Sequence, residues 1–154
     1  MIIRTVSKGD RARWIAMRAE LWPDEPGSHP VEVDRFFAGD SMQPQSVVVA
    51  EQDGDLIGFA EFSIRYHAEG CAGTRVGYLE GWYVDEDQRQ RGVGRALVRA
   101  GERWAAGHGC TEFGSDAEPD NETSHAAHRA LGFTDVGLVR CFAKRIDPEP
   151  EADA

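Results

Sequence analysis

Between Leu79 and Val98 the chain reads LEGWYVDEDQRQRGVGRALV, and no other stretch restricts the fold as strongly. An apolar run rich in β-branched and aromatic residues passes through an acidic turn into Arg89-x-x-Gly92-x-Gly94, and then into an amphipathic segment. Val93, Ala96, Leu97, Ala100 and Trp104 share one face at helical spacing, with Arg95, Arg99, Glu102 and Arg103 mostly elsewhere. The order is therefore strand, glycine loop, helix, with Gly107 and Gly109 ending the helix near His108. Such a loop is a phosphate cradle. Glycine lets a ligand approach the backbone, free N–H groups point outward, and the helix N-terminus adds partial positive charge. A Rossmann dinucleotide site would need a third glycine, where Leu97 stands.

The flanking sequence alternates element types. Ile2–Val6 reads as a strand, and Asp10 is expected to cap a helix running to Leu21, with Trp14, Ile15, Met17 and Leu21 on or near its apolar side. WPDEPG breaks that helix, and a second is expected over 31–37. Two runs, 46–51 and 56–64, form a hairpin around Asp53-Gly54-Asp55. Strands are expected at 76–84 and 112–115, a helix over 122–131, and one or two strands in 134–145. Residues 1–146 read as a single domain, with 147–154 as an acidic disordered tail.

Formal net charge is −10, four of the acids lying in that tail. An acidic chain repels nucleic acid and anionic lipid and suits a cationic ligand. No apolar run has the length of a membrane span, and the N-terminal MIIRTVSKGD lacks a signal-peptide core, so a cytoplasmic location is expected. Cys71, Cys110 and Cys141 are odd in number and widely spaced, which reads as reduced thiols. His125 and His128 lie three apart, but no third ligand stands at suitable spacing, so no metal is expected.

Arg89-Gln90-Arg91-Gly92-Val93-Gly94 resembles the (Gln/Arg)-x-x-Gly-x-(Gly/Ala) acetyl-CoA motif of the GNAT N-acetyltransferase superfamily. Asp120-Asn121 and His128-Arg129-Ala130-Leu131-Gly132-Phe133 are similar to its later part. Leu21-Trp22-Pro23, Gly58-Phe59-Ala60, Ser63-Ile64-Arg65, Leu79-Glu80-Gly81, Ser115-Asp116 and Ser124-x-x-x-His128 resemble, within it, the chromosomal, dimeric branch of the aminoglycoside 6′-N-acetyltransferases. The resemblance implies an α/β (α+β) fold with a central mixed, mostly antiparallel sheet splayed at the acetyl-CoA site and flanked by helices. It implies transfer of an acetyl group from acetyl-CoA to the 6′-amino group of an aminoglycoside, by direct attack in a ternary complex, and a homodimer. Two alternatives stay open: a GNAT acetyltransferase for another amine (a polyamine, an amino sugar or a protein N-terminus), or a non-catalytic nucleotide-binding module.

Carried onto this chain, the resemblance implies that the backbone of Trp82, Tyr83 and Val84 holds the pantetheine arm and the thioester carbonyl. The N–H groups of Gln90, Arg91, Gly92, Val93, Gly94 and Arg95 would hold the pyrophosphate, and Asn121 the arm further along. Glu80, near the start of the same strand, can bind an ammonium group or relay its proton through water. Asp116 closes the following strand and can also grip an ammonium group. The Trp22 ring offers a face to a cationic sugar, and Tyr66 a weaker contact beside it. His128 stands where many GNAT enzymes carry the tyrosine that protonates the departing thiolate. Gly137 stands where relatives tend to carry an acid.

Overall fold

The computed structural model describes residues 1–146 and 148. Close packing divides the chain into two compact units, Met1–Glu118 and Pro119–Ala154. The first contains a five-stranded sheet formed by β1 (Ile2–Thr5), β2 (Ser46–Gln52), β3 (Asp55–Arg65), β4 (Val76–Val84) and β5 (Phe113–Ser115), in that spatial order. The first four strands are antiparallel, and β5 runs parallel to β4. The β2–β3 turn works because Asp53 and Gly54 both take positive φ, 53° and 90°, the geometry that matches strand twist in a two-residue hairpin.

Helices α1 (Arg11–Leu21) and α2 (His29–Phe37) cover one face of the sheet. Trp14, Met17 and Val33 meet Val47, Val49 and Phe59 in one buried cluster, and Phe36 and Phe37 pack edge-on to Trp14 at 5.3 and 5.7 Å. Each such buried side chain is worth about 1.5–3 kcal/mol of transfer free energy. Helix α3 (Val93–Gly107) covers the other face, since a Cβ on Gly58, one residue from Phe59, would lie 3.3 Å from the Leu97 side chain. Its buried stripe is Val93, Leu97, Val98, Gly101 and Ala105, whereas Ala96, Ala100 and Trp104 are half-buried. The contact line is therefore rotated toward the small residues. Gly101 allows this, because a Cβ there would lie 2.3 Å from the Phe62 ring.

In the second unit, α4 (Glu122–Ala130) is capped by Asn121, whose Oδ1 accepts from the Ser124 N–H at 3.0 Å. The strands expected over 134–145 are not present; residues 133–146 form neither helix nor strand. Val136, Val139 and Phe142 favour extension, but a strand exists only when an edge takes up its N–H and C=O groups. That segment has no ladder partner among the described residues. The expected acidic tail lies outside the described residues except for Pro148.

Asp10 stands at the expected N-cap position of α1, but its side chain makes no capping hydrogen bond. Ser7 opens a 3₁₀ turn over Lys8–Asp10 ahead of α1. The Asp10 carboxylate therefore turns back, accepting from the Ser7 N–H at 2.7 Å and from Arg4 at 2.7 and 3.0 Å. Those bonds, Arg4 first, hold the Asp10 carboxyl down at about 2.

Candidate active site

The sheet opens where β4 leaves its parallel neighbour. β5 pairs with Gly77, Tyr78 and Leu79 and then ends. From Glu80 to Val84, β4 has β3 on one side and, among the described residues, no strand on the other. The β3–β4 ladder slips here: Glu61 faces Gly81 and Phe62 faces Leu79, so Glu80 is the extra residue of a bulge. Bulges bend a strand and re-aim a side chain, and they concentrate at functional sites. The open edge is backbone that a ligand can pair with.

The glycine loop follows directly. Gln90 and Gly92 both take positive φ, 61° and 84°, and Gly92 occupies the N-cap position of α3. A Cβ at Gly92 would meet no protein atom within 4 Å, so the space over that residue is open to a ligand. A Cβ at Gly94 would lie 2.9 Å from the Trp82 ring. The Arg89 Nε donates to the Val84 carbonyl at 2.9 Å, tying the loop to the end of β4. The first-turn N–H groups of α3 have no acceptor within the helix, the condition for an anion site. Gln90, Arg91 and Arg95 are exposed around it, and Val93 is buried beneath. Tyr83 points away into the α1 side, where its hydroxyl donates to Glu20.

Two of the expected acceptor residues belong to one polar chain. Glu80 receives the Arg65 guanidinium in a two-bond fork, Nε to Oε1 at 2.9 Å and an Nη to Oε2 at 2.6 Å. The same guanidinium lies 3.6 Å from the centroid of the Tyr78 ring. The Tyr78 hydroxyl donates to Asp116 Oδ2 at 2.6 Å. Burial first, and then the neighbouring Asp116, push the Tyr78 hydroxyl far above its ordinary range, so it is a donor at any relevant pH.

Trp22 borders this region from the other face. Its ring edge rests on Gly81, where a Cβ would come within 2.5 Å. The Arg18 guanidinium sits 4.9 Å from the ring centroid, and His29 stacks at 6.2 Å. Arg18 is itself buried and paired with Glu61 and Glu32. Burial pushes the Glu61 carboxyl up, against the opposing pull of Arg18. The expected ring platform thus already carries a cation of the protein's own. Tyr66 directly follows Arg65 and is 82% exposed.

Asn121 and His128 lie in the second unit. The Asn121 side chain caps α4, as described above. The His128 Nδ1 is 2.7 Å from the Ser124 carbonyl, and its ring meets Phe133 edge-on at 5.2 Å. Gly137 has φ 124°, and its N–H donates to Asp135 Oδ1 at 3.0 Å. Among the described residues there is no group of three His, Cys, Asp or Glu side chains placed to hold a metal ion. No helix among them is long and apolar enough to cross a membrane.

The family model "Acetyltransferase (GNAT) family" matches residues 14–133, which include the bulge, the open edge, the glycine loop and α4. The chain belongs to the GNAT acetyltransferase family. Its similarity to individual members is strong. This GNAT chain is 49% identical over 145 residues to an aminoglycoside N(6′)-acetyltransferase type 1 of Klebsiella aerogenes, covering 93% of this chain and 95% of that one. It is 38% identical, with a TM-score of 0.87, to the crystal structure of an aminoglycoside 6′-N-acetyltransferase from Acinetobacter haemolyticus, covering 96% and 100% of the two chains. It is 35% identical, with a TM-score of 0.85, to the AAC(6′)-Iy enzyme in complex with the bisubstrate analogue CoA-S-monomethyl-acetylneamine, covering 94% and 98%.

Sequence reasoning missed two partners in the GNAT site. Arg65 was visible only as part of a short motif, and its pairing with Glu80 depends on the register across the long β3–β4 connection. Arg18 is a charge on the apolar face of α1, four residues after Trp14 and beside Met17, and it is buried there. The signals were that helical spacing and Glu61, a carboxylate inside an otherwise apolar strand run.

Proposed function

We propose that this GNAT protein transfers the acetyl group of acetyl-CoA to the 6′-amino group of aminoglycosides. What supports the reading most is the open β4 edge, Glu80 to Val84, running straight into the Gly92 helix start, with the carboxylates of Glu80 and Asp116 alongside. The names of the relatives supply the acceptor class. On this reading the β4 edge and the N–H groups of Gln90–Arg95 hold acetyl-CoA, which supplies the acyl group as a thioester; Asn121 contributes further along the arm. Asp116, Trp22 and Tyr66 hold the cationic acceptor.

The acceptor amine, once neutral, attacks the thioester carbonyl directly. A C–N bond forms, the C–S bond breaks, and the amine's surplus proton leaves as the thiol is restored. Orientation of two bound substrates can supply several kcal/mol of the barrier. Glu80 is the first candidate to accept that proton, through water, and to do so it must share its carboxylate with Arg65. His128 is the second, as a relay or as the acid for the thiolate. The three cysteines take no part, and no metal is required.

A homodimer in the cytoplasm belongs to the same reading. Leu138, Phe142 and Ile146 are 83%, 89% and 96% exposed, and an apolar segment of this kind favours burial against a second copy. Light scattering should give twice the chain mass.

The test of the acceptor is thiol release from acetyl-CoA, screened over aminoglycosides, polyamines, amino sugars and N-terminal peptides. Release with aminoglycosides carrying a 6′-amino group is expected. Release only with another class would move the assignment to that amine. CoA binding without release by any amine would leave a nucleotide-binding module.

A further inference from the structure

We propose that Arg65 is a positioning residue of the acceptor site, and that Glu80 contributes to holding the acceptor's charge through it, separately from any part Glu80 takes in proton transfer. The inference deepens the acetyltransferase reading and rests on it. Arg65 is the last residue of β3, and Glu80 is the bulged residue of β4. Both Glu80 oxygens are taken by the guanidinium fork, the geometry that makes arginine–carboxylate pairs both strong and directional. With its charge matched by Arg65, Glu80 is not a vacant ammonium site. An acceptor cation approaching it would meet a guanidinium first.

The fork fixes more than Glu80. It seats the guanidinium over Tyr78, its central carbon 3.6 Å from the ring centroid. Gly114 closes on the same ring at Cδ2 and Cε2, where a Cβ would come within 3.1 Å. The ring is thereby set in place, and its hydroxyl direction sets Asp116 through the 2.6 Å bond to Oδ2. Asp116 itself is exposed to solvent. The chain Glu80–Arg65–Tyr78–Asp116 carries one net negative charge and presents it at Asp116. Arg65 thus determines where the acceptor's ammonium group finds its counter-ion.

Lysine cannot replace this device, because it has neither the fork nor a flat face to stack. The Arg65 side chain is 32% exposed, so its substitution should leave a folded protein.

The experiment measures steady-state constants for both substrates, and the melting temperature, in Arg65→Met, Arg65→Lys, Glu80→Gln, Tyr78→Phe and the Arg65→Met/Glu80→Gln double variant. Arg65→Met and Glu80→Gln should each raise the aminoglycoside KM by roughly tenfold and leave the acetyl-CoA KM within about twofold. The double variant should be no worse than the more impaired single, because the two residues act as a unit. Tyr78→Phe should show the same KM split, and Arg65→Lys should not rescue. A lowered aminoglycoside KM in Arg65→Met would overturn the proposal, since Arg65 would then be a competitor of the substrate. So would additive losses in the double variant, which would make Glu80 a direct contact. Equal changes in both KM values, tracking a fall in melting temperature, would reduce Arg65 to a structural strut and overturn it as well. If the unaltered protein releases no thiol with any aminoglycoside, the parent reading fails and the inference falls with it, before any variant is made.

Discussion

The indole of Trp82 lies directly against Gly94, so that a Cβ on Gly94 would stand 2.9 Å from ring atom Cζ2. The open strand and the helix N-terminus are thereby locked at one spacing. Gly94→Ala should push the ring away and shift the strand edge against the loop, raising the acetyl-CoA KM with little change in the aminoglycoside KM. Gly92→Val adds bulk where the protein leaves open space and forces a side chain onto φ 84°. It should weaken acetyl-CoA binding by more than about tenfold, a loss of roughly 1.4 kcal/mol. Calorimetric titration on the folded variants checks both, and unchanged affinity would remove the loop from the cofactor site.

Asp116 should carry the acceptor's charge. A charged hydrogen bond to an ammonium group is worth on the order of 1.5–3 kcal/mol, so Asp116→Asn should raise the aminoglycoside KM by about tenfold or more. Steady-state kinetics with each substrate varied in turn separates this from a general effect. Equal shifts in both constants would make Asp116 a turn residue that orders Tyr78.

The part of this design most legible in the sequence is the part written in local rules. Gly92 and Gly94 announce a helix start because no other residue serves both a positive φ and a close approach. Asp53-Gly54 announces its hairpin for the same conformational reason. Long-range pairing is far less legible. Arg65 and Glu80 are 15 residues apart, and nothing local states that a bulge turns one toward the other. Arg18 and Glu61 are each a charge on an otherwise apolar face, and only when α1 is laid over β3 does each become the other's counter-ion. Residues 134–145 show the opposite limit, since β-favouring residues such as Val136, Val139 and Phe142 do not supply the edge a strand needs. Asp10 takes the N-cap position its sequence context announces, but its carboxylate goes to Arg4 and the Ser7 N–H, partners in the strand end and turn before the helix that no local rule reveals.

Direct attack makes a kinetic prediction. Initial-rate patterns should intersect, and turnover should rise with pH until the neutral amine dominates. Single serine substitutions at Cys71, Cys110 and Cys141 should each retain activity. Glu80→Ala and His128→Ala should slow turnover without abolishing it. Parallel-line kinetics with an acetyl group trapped on any of the three cysteines would contradict the scheme.

Stability against acid should depend on Asp10. Its carboxyl is held at about 2, below the ordinary 3.8, chiefly by Arg4. A depressed carboxyl stabilises the fold fully above its unfolded value and loses that contribution as pH falls through the folded value. Stability should therefore drop between about pH 4 and pH 2, and Asp10→Asn should flatten that part of the profile while lowering the neutral plateau. Urea unfolding across the range checks it; an unchanged slope would assign the acid sensitivity to other carboxylates.

The most direct test compares kcat/KM for two aminoglycosides that differ only at the 6′ position, one carrying an amine and the other a hydroxyl. The account predicts stoichiometric thiol release and a 6′-N-acetyl product with the first, and no release above the acetyl-CoA hydrolysis background with the second. Equal rates with both, or an acetyl group found on a different nitrogen, would contradict it.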